Sequence, residues 1–87
     1  MTPEQKEIYR NNILLQLDTA RAPMLGKTLF IGLTVGGFTD SSITEMESEI
    51  EYLIAKGLVS IERAAISAGV KRYKITAAGI EYVEANL

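Results

Sequence analysis

The side chains of this chain that could do chemistry are its carboxylates and its cations, since it contains no cysteine and no histidine. Without thiolates or imidazoles, disulfides and zinc-type metal sites are excluded, as is cysteine- or histidine-based catalysis. The glycine pair that begins at Gly36 lacks the Lys-Ser/Thr that completes a phosphate-binding loop. We therefore expect no enzyme activity, no bound metal and no cofactor.

The charged residues fall into two groups of opposite sign. Glutamates stand at every second position from Glu45 to Glu51, and residues 40–56 contain five acids and one lysine, a balance of −4 (1 − 5). The later part of the chain gathers four cations, at Arg63, Lys71, Arg72 and Lys74. The net charge of the whole chain is −2, which gives no support for nucleic-acid binding.

Length and hydropathy predict one small domain over residues 1–87. Eighty-seven residues with 47% hydrophobic content suit a single thin core, which often gains stability by association. The polar N-terminus differs from a signal peptide, and the longest apolar run, around residues 29–35, is too short to cross a bilayer. We expect a cytoplasmic protein that does not enter a membrane.

Two helices are predicted before residue 36. Thr2 can cap the first helix, with Pro3 at its first position, and Pro23 ends it because proline disfavours helical geometry in the preceding residue. Residues 24–35 are almost uniformly apolar, so a buried helix and a buried strand both fit them. Their length and the glycine pair after them favour a helix of about three turns.

A third helix is predicted over about residues 40–56. Ser42 and Glu45 match a capping box, although Asp40 is an equally good first residue. Apolar residues then recur at helical spacing on one face, and Gly57 closes the helix.

A β-hairpin and a last helix follow. Residues 58–63 and 70–75 predict two strands, with a turn over residues 64–69. Tyr73 and Ile75 share one face of the second strand, while Arg72 and Lys74 share the other. A lone hairpin is marginally stable, so apolar contacts to the helices are expected from Val59, Ile61, Tyr73 and Ile75. Thr76 caps the last helix. The predicted fold is α+β, mainly α, with three helices, a two-stranded β-wing and a C-terminal helix.

The pattern Ile50-x-x-Leu53-x-x-x-Gly57-Leu58-Val59, with Arg72-Tyr73-Lys74-Ile75-Thr76-x-x-Gly79, resembles the winged helix-turn-helix transcriptional regulators of bacteria and phages. The ArsR, MarR and PadR groups are the most similar. The resemblance covers residues 40–79 and implies that the third helix enters the major groove and the wing contacts the DNA backbone. It assigns groove contacts to Ser41, Thr44, Glu45, Ser48 and Tyr52, and backbone contacts to Arg63, Lys71, Arg72 and Lys74.

The charge of the third helix departs from that family. Phosphate neutralisation dominates affinity for DNA, and an acidic helix in the groove opposes it, although Glu45 could accept a hydrogen bond from a cytosine amino group. The metal-sensing role of ArsR members is not expected, since their cysteine and histidine ligands are missing here.

The first and last helices carry more apolar residues than a thin core needs. In the resembling families these helices pair across a two-fold axis, which implies a homodimer with an interface at Ile8, Leu15, Ile80, Val83 and Leu87. Alternatively, the last helix packs only on its own domain.

The sequence therefore predicts a small, dimeric, DNA-binding transcriptional regulator, whose size is consistent with a prophage origin. The alternative is a winged-helix protein-interaction module that docks a basic partner on its acidic helix and binds no DNA.

Overall fold

The computed structural model describes residues 1–63 and 70–87, so the predicted turn at residues 64–69 and the side chain of Arg63 lie outside the described residues. The described part contains four helices and a three-stranded antiparallel sheet, and it is α+β and mainly helical, as predicted. The elements in chain order are α1 (Pro3–Ala20), β1 (Met24–Leu25), α2 (Gly26–Val35), α3 (Ile43–Ala55), β2 (Val59–Arg63), β3 (Lys71–Ile75) and α4 (Ala77–Asn86).

Hydroxyl side chains begin three of the helices. Thr2 begins α1 and Thr76 begins α4, as the sequence predicts, and Ser42, one of the two residues that the sequence left open, begins α3. The Ser42 hydroxyl accepts a hydrogen bond from the backbone N–H of Glu45 at 3.1 Å, and the Glu45 carboxylate accepts one from the backbone N–H of Ser42 at 3.2 Å. This reciprocal pair satisfies two otherwise unpaired donors, so α3 begins after Ser42 and not at Asp40.

The segment between α1 and α2 corrects one prediction. The helix expected from residue 24 begins only at Gly26, because Met24 and Leu25 form β1 and pair with Tyr73 and Arg72 of β3. The backbone groups of these two residues bond to the sheet and are unavailable to a helix. The sheet therefore has three strands in the order β1-β3-β2, where the sequence predicted two.

The apolar residues of the two hairpin strands lie opposite one another. Val59 lies opposite Ile75 and Ile61 lies opposite Tyr73. Val59, Tyr73 and Ile75 are buried against the helices, as expected. Ile61 is 38% exposed, so it contributes less to that contact than predicted.

The core lies between the helices and one face of the sheet. Its buried side chains come from every helix and from β2 and β3: Tyr9, Ile13, Leu14, Leu17, Leu29, Leu33, Met46, Ile50, Leu53, Val59, Tyr73, Ile75 and Val83. Two glycines allow close approach. Gly79 of α4 lies against the backbone of Leu58, and Gly32 of α2 lies against the Gln16 side chain of α1. Within the described ranges, no helix combines the length and apolar character needed to cross a membrane.

Candidate functional site

The solvent face of α3 is centred on two hydroxyl side chains. Thr44 and Ser48 are exposed, and at 100° per residue they point away from the buried Ile50. Glu47 and Glu51 are also exposed and lie on the side of this face that is nearer the sheet. Of the five side chains that the resemblance assigns to the groove, Thr44 and Ser48 are the two with no role in holding the fold together.

Ser41 and Glu45 hold the start of α3 in place. The Tyr9 hydroxyl donates to the Ser41 hydroxyl at 3.2 Å, and Ser41 in turn donates to the backbone carbonyl of Phe38 at 3.1 Å. Burial raises the pKa of Tyr9 above its usual 10.0, and the hydrogen bond to Ser41 opposes part of that rise. Glu45 completes the capping box, so both predicted contact residues have structural partners.

A cluster of charged and aromatic side chains joins α3 to α1. The Arg10 Nε donates to Glu49 Oε2 at 2.6 Å, and the guanidinium carbon lies 3.7 Å from the centroid of the Tyr52 ring. The ammonium of Lys56 lies 5.5 Å from the same centroid. Glu49 is only 7% exposed, so one of the four alternating glutamates is buried beside an arginine. This cluster could not be predicted from the sequence, because Arg10 is 39 residues away from its partner.

The basic residues of the hairpin are divided between the two faces of the sheet. Arg72 and Lys74 share the face opposite the core, where Glu62 lies directly across from Arg72. Lys71 is on the same face as Tyr73. In the β-ladder it lies opposite Arg63 of β2, whose side chain is outside the described residues. Among the predicted wing cations whose side chains are described, Lys71 is therefore on one face of the sheet, and Arg72 and Lys74 are on the other.

A cleft of about 680 Å³ separates the start of α2 from α3 and β3. Lys27 and Lys71 contribute cations to it, and Glu47 contributes a carboxylate. Burial raises the pKa of Tyr73, and the negative charges of Glu47 and Glu51 raise it further. Lys27 was not predicted as a site residue, because only the fold brings the start of α2 next to α3 and β3.

The residues predicted for a dimer interface differ in exposure. Ile8, Leu15 and Leu87 are 54%, 40% and 49% exposed. Val83 is buried in the chain's own core, and Ile80 is half-buried against it. The apolar side of α4 therefore faces its own domain, and little of it is left for a partner.

Within residues 1–63 and 70–87, no group of three or more acidic side chains is arranged to hold a metal ion. No protein-family model and no curated protein matches this chain.

Proposed function

We propose that this chain is a winged helix-turn-helix, DNA-binding transcriptional regulator that acts in the cytoplasm. The exposed face of α3 would enter the major groove, and cations on either side of it would contact the backbone. The observation that carries the proposal is the arrangement around Thr44 and Ser48. These two small hydroxyls have Lys56 and Arg10 on the α1 side of the helix, and Lys27 and Lys71 on the sheet side.

The structure reduces the charge conflict that the sequence presents. Glu49 is buried beside Arg10, which pairs its charge. The exposed Glu45, Glu47 and Glu51 are left as the carboxylates of α3 that would approach a phosphate backbone. Hydroxyl groups donate and accept hydrogen bonds, so Thr44 and Ser48 suit the edge of any base pair in the major groove.

A dimer is part of the proposal. Two copies related by a two-fold axis would place two α3 helices on half-sites about one helical turn apart. Each copy would then need only a modest number of contacts, since the two DNA-binding surfaces act together.

The test is a fluorescence anisotropy titration of labelled duplexes cut from genomic DNA, repeated at several salt concentrations between about 50 and about 200 mM. The slope of log affinity against log salt is negative, and its magnitude should fall by about 0.9 for each phosphate contact that a substitution removes. We expect Lys27→Ala, Lys56→Ala and Lys71→Ala, which remove cations beside the exposed face of α3, each to lower that magnitude. Arg21→Gln is the matched control, because Arg21 lies at the end of α1 and is paired with Asp18. Absence of binding at the lowest salt would reject DNA binding, and an unchanged slope in all three variants would reject the proposed backbone contacts.

A second function is favoured by the position of Glu47 and Glu51. Glu47 borders a cleft with apolar walls that include Ile43 and Met46, and the charge of Glu51 acts on Tyr73 of the same cleft. An acidic, apolar cleft of this kind suits a basic, amphipathic segment of a protein partner. The double variant Glu47→Lys/Glu51→Lys separates the two proposals. It should tighten binding to DNA by removing repulsion, whereas it should abolish capture of a basic protein partner. A protein partner lost on this reversal, with no nucleic acid bound by the wild type, would favour the interaction module.

A further inference from the structure

Another cleft, of about 450 Å³, lies between α1, the end of α3 and α4. Its apolar lining comes from Leu58 and from Leu14 and Leu53, which are almost fully buried. Two cations and two tyrosines also line it: Arg10, Lys56, Tyr52 and Tyr82. A concave, partly apolar site with a few polar groups that converge on it is typical of a small-molecule site.

Arg10 is held in position to bind an anion in this cleft. Its Nε donates to Glu49 at 2.6 Å, and its guanidinium carbon lies 3.7 Å from the centroid of the Tyr52 ring, so the side chain has little freedom left to lose on binding. Among the described residues, Nε is the one guanidinium nitrogen that has a hydrogen-bond partner. The two terminal nitrogens therefore keep their N–H donors for a ligand.

Lys56 brings a second cation to the same ring. Its ammonium lies 5.5 Å from the centroid of Tyr52, and its side chain is exposed. Glu7 is the one acid among the described residues that line the cleft, and it is exposed, so water and salt screen its charge. A guanidinium and an ammonium that converge around one ring suit a phosphate, which carries several acceptor oxygens and up to two charges.

The other polar groups of the cleft suit a heterocyclic base. Tyr82 is half-buried and packed against the core, so its ring is available in a defined position to stack on a planar ligand. The amide of Asn11 is also half-buried in the lining, and it offers both donors and an acceptor. The edge of a base presents the same combination. An inorganic anion alone would leave Tyr82 and the apolar lining unused.

We propose that this cleft binds a nucleoside monophosphate. The phosphate lies between Arg10 and Lys56, and the base contacts Tyr82 and Asn11. This binding does not depend on DNA. Because Arg10 and Lys56 are also cations of the proposed DNA surface, a bound nucleotide should weaken DNA binding, and this consequence rests on the proposed function.

The test is isothermal titration calorimetry of the full chain with the four ribonucleoside 5′-monophosphates. For a ligand of this size we expect a Kd between about 10 µM and about 1 mM. The tightest monophosphate should bind at least about tenfold more tightly than its own nucleoside or inorganic phosphate, because only the whole molecule reaches both the cations and Tyr82. Two results would overturn the proposal: no binding by any of the four, or a monophosphate that binds no more tightly than inorganic phosphate.

Two substitutions in the cleft should each lower the affinity by at least about fivefold. Lys56→Ala removes a charge-assisted contact, and Tyr82→Leu removes the stacking ring while it keeps an apolar side chain against the core. Lys6→Ala is the matched control, because it removes the same charge from an exposed lysine of α1 that does not line the cleft. A circular dichroism spectrum equal to that of the wild type verifies the fold of each variant. Wild-type affinity in Lys56→Ala, or an equal loss in Lys6→Ala, would rule out the assigned phosphate position.

The consequence for DNA is measured by adding the tightest monophosphate to the anisotropy titration. The apparent Kd for DNA should rise with nucleotide concentration in the wild type, and this rise should be smaller in Lys56→Ala. Unchanged DNA affinity at saturating nucleotide would overturn the competition. Absence of DNA binding without nucleotide would overturn the proposed function alone and leave the calorimetric result standing, so the two proposals fail separately.

Discussion

Replacing Gly79 with alanine should destabilise the protein, because α4 begins in direct contact with the chain that enters the hairpin. An added Cβ would lie 2.6 Å from Cγ1 of Ile75 and even closer to the carbonyl oxygen of Leu58. Overpacking of this kind costs about 1–3 kcal/mol, and the helix propensity of alanine offsets less than about 1 kcal/mol of it. We expect a net loss of about 1–2 kcal/mol, which lowers the Tm by roughly 5–15 °C in a domain of this size.

Gly32→Ala is the matched control, because it makes the same chemical change inside a helix. Its added Cβ meets the amide end of Gln16, a flexible side chain that can rotate towards solvent, whereas the Leu58 oxygen is part of the backbone. Alanine in a helix interior is favoured over glycine by about 0.5–1 kcal/mol, so Gly32→Ala should be neutral or stabilising. Urea unfolding followed by circular dichroism measures both variants. Equal losses of stability in the two variants, or no loss in Gly79→Ala, would refute the distinction between a rigid neighbour (the Leu58 backbone) and a flexible one (the Gln16 side chain).

Three further predictions concern stability. Arg10→Met leaves the Glu49 carboxylate buried without its cation and should lower the free energy of unfolding in urea by about 1–3 kcal/mol. Glu49→Gln keeps a hydrogen-bond acceptor and removes the charge, so its loss of stability should be smaller. An unchanged stability of Arg10→Met would contradict this prediction. Ser42→Ala removes the cap of α3 and should cost about 1 kcal/mol in the same assay, with loss of helical circular dichroism at lower urea. Burial raises the pKa of Tyr9 and Tyr73, so the native state keeps protons that the unfolded chain releases. The free energy of unfolding should therefore fall as the pH rises from about 10 through the native-state pKa values. Tyr73→Phe should make that fall shallower. An equally steep fall in the variant would count against the burial of Tyr73 as its cause.

Local signals in the sequence predicted much of the fold. Thr2, Ser42 and Thr76 begin helices because a hydroxyl followed by a free backbone N–H three residues later is a short-range interaction. The alternation of side chains along a strand is also a short-range property, and it correctly placed Tyr73 and Ile75 together on the buried face.

Features that depend on distant pairing could not be predicted in this way. Met24 and Leu25 form a strand of two residues, too short to show a period, and only their pairing with β3 defines it. The ion pair between Arg10 and Glu49 joins positions 39 residues apart, so the sequence showed an acidic helix where the structure has one carboxylate buried beside an arginine. Ile80 and Val83 are apolar enough for an interface or a core, and only the packing of α4 shows that Val83 lies in the core with Ile80 half-buried against it.

The position of β3 between β1 and β2 lowers the conformational entropy that a ligand's binding would cost at Arg72. The backbone at Arg72 and Tyr73 is paired on both sides, so these residues move only when two ladders open together. Their amide hydrogens should exchange with solvent more slowly than those of Ser60 and Glu62 on the sheet edge. A ligand that contacts Arg72 would then meet a backbone that is already ordered, and its binding would lose little conformational entropy there.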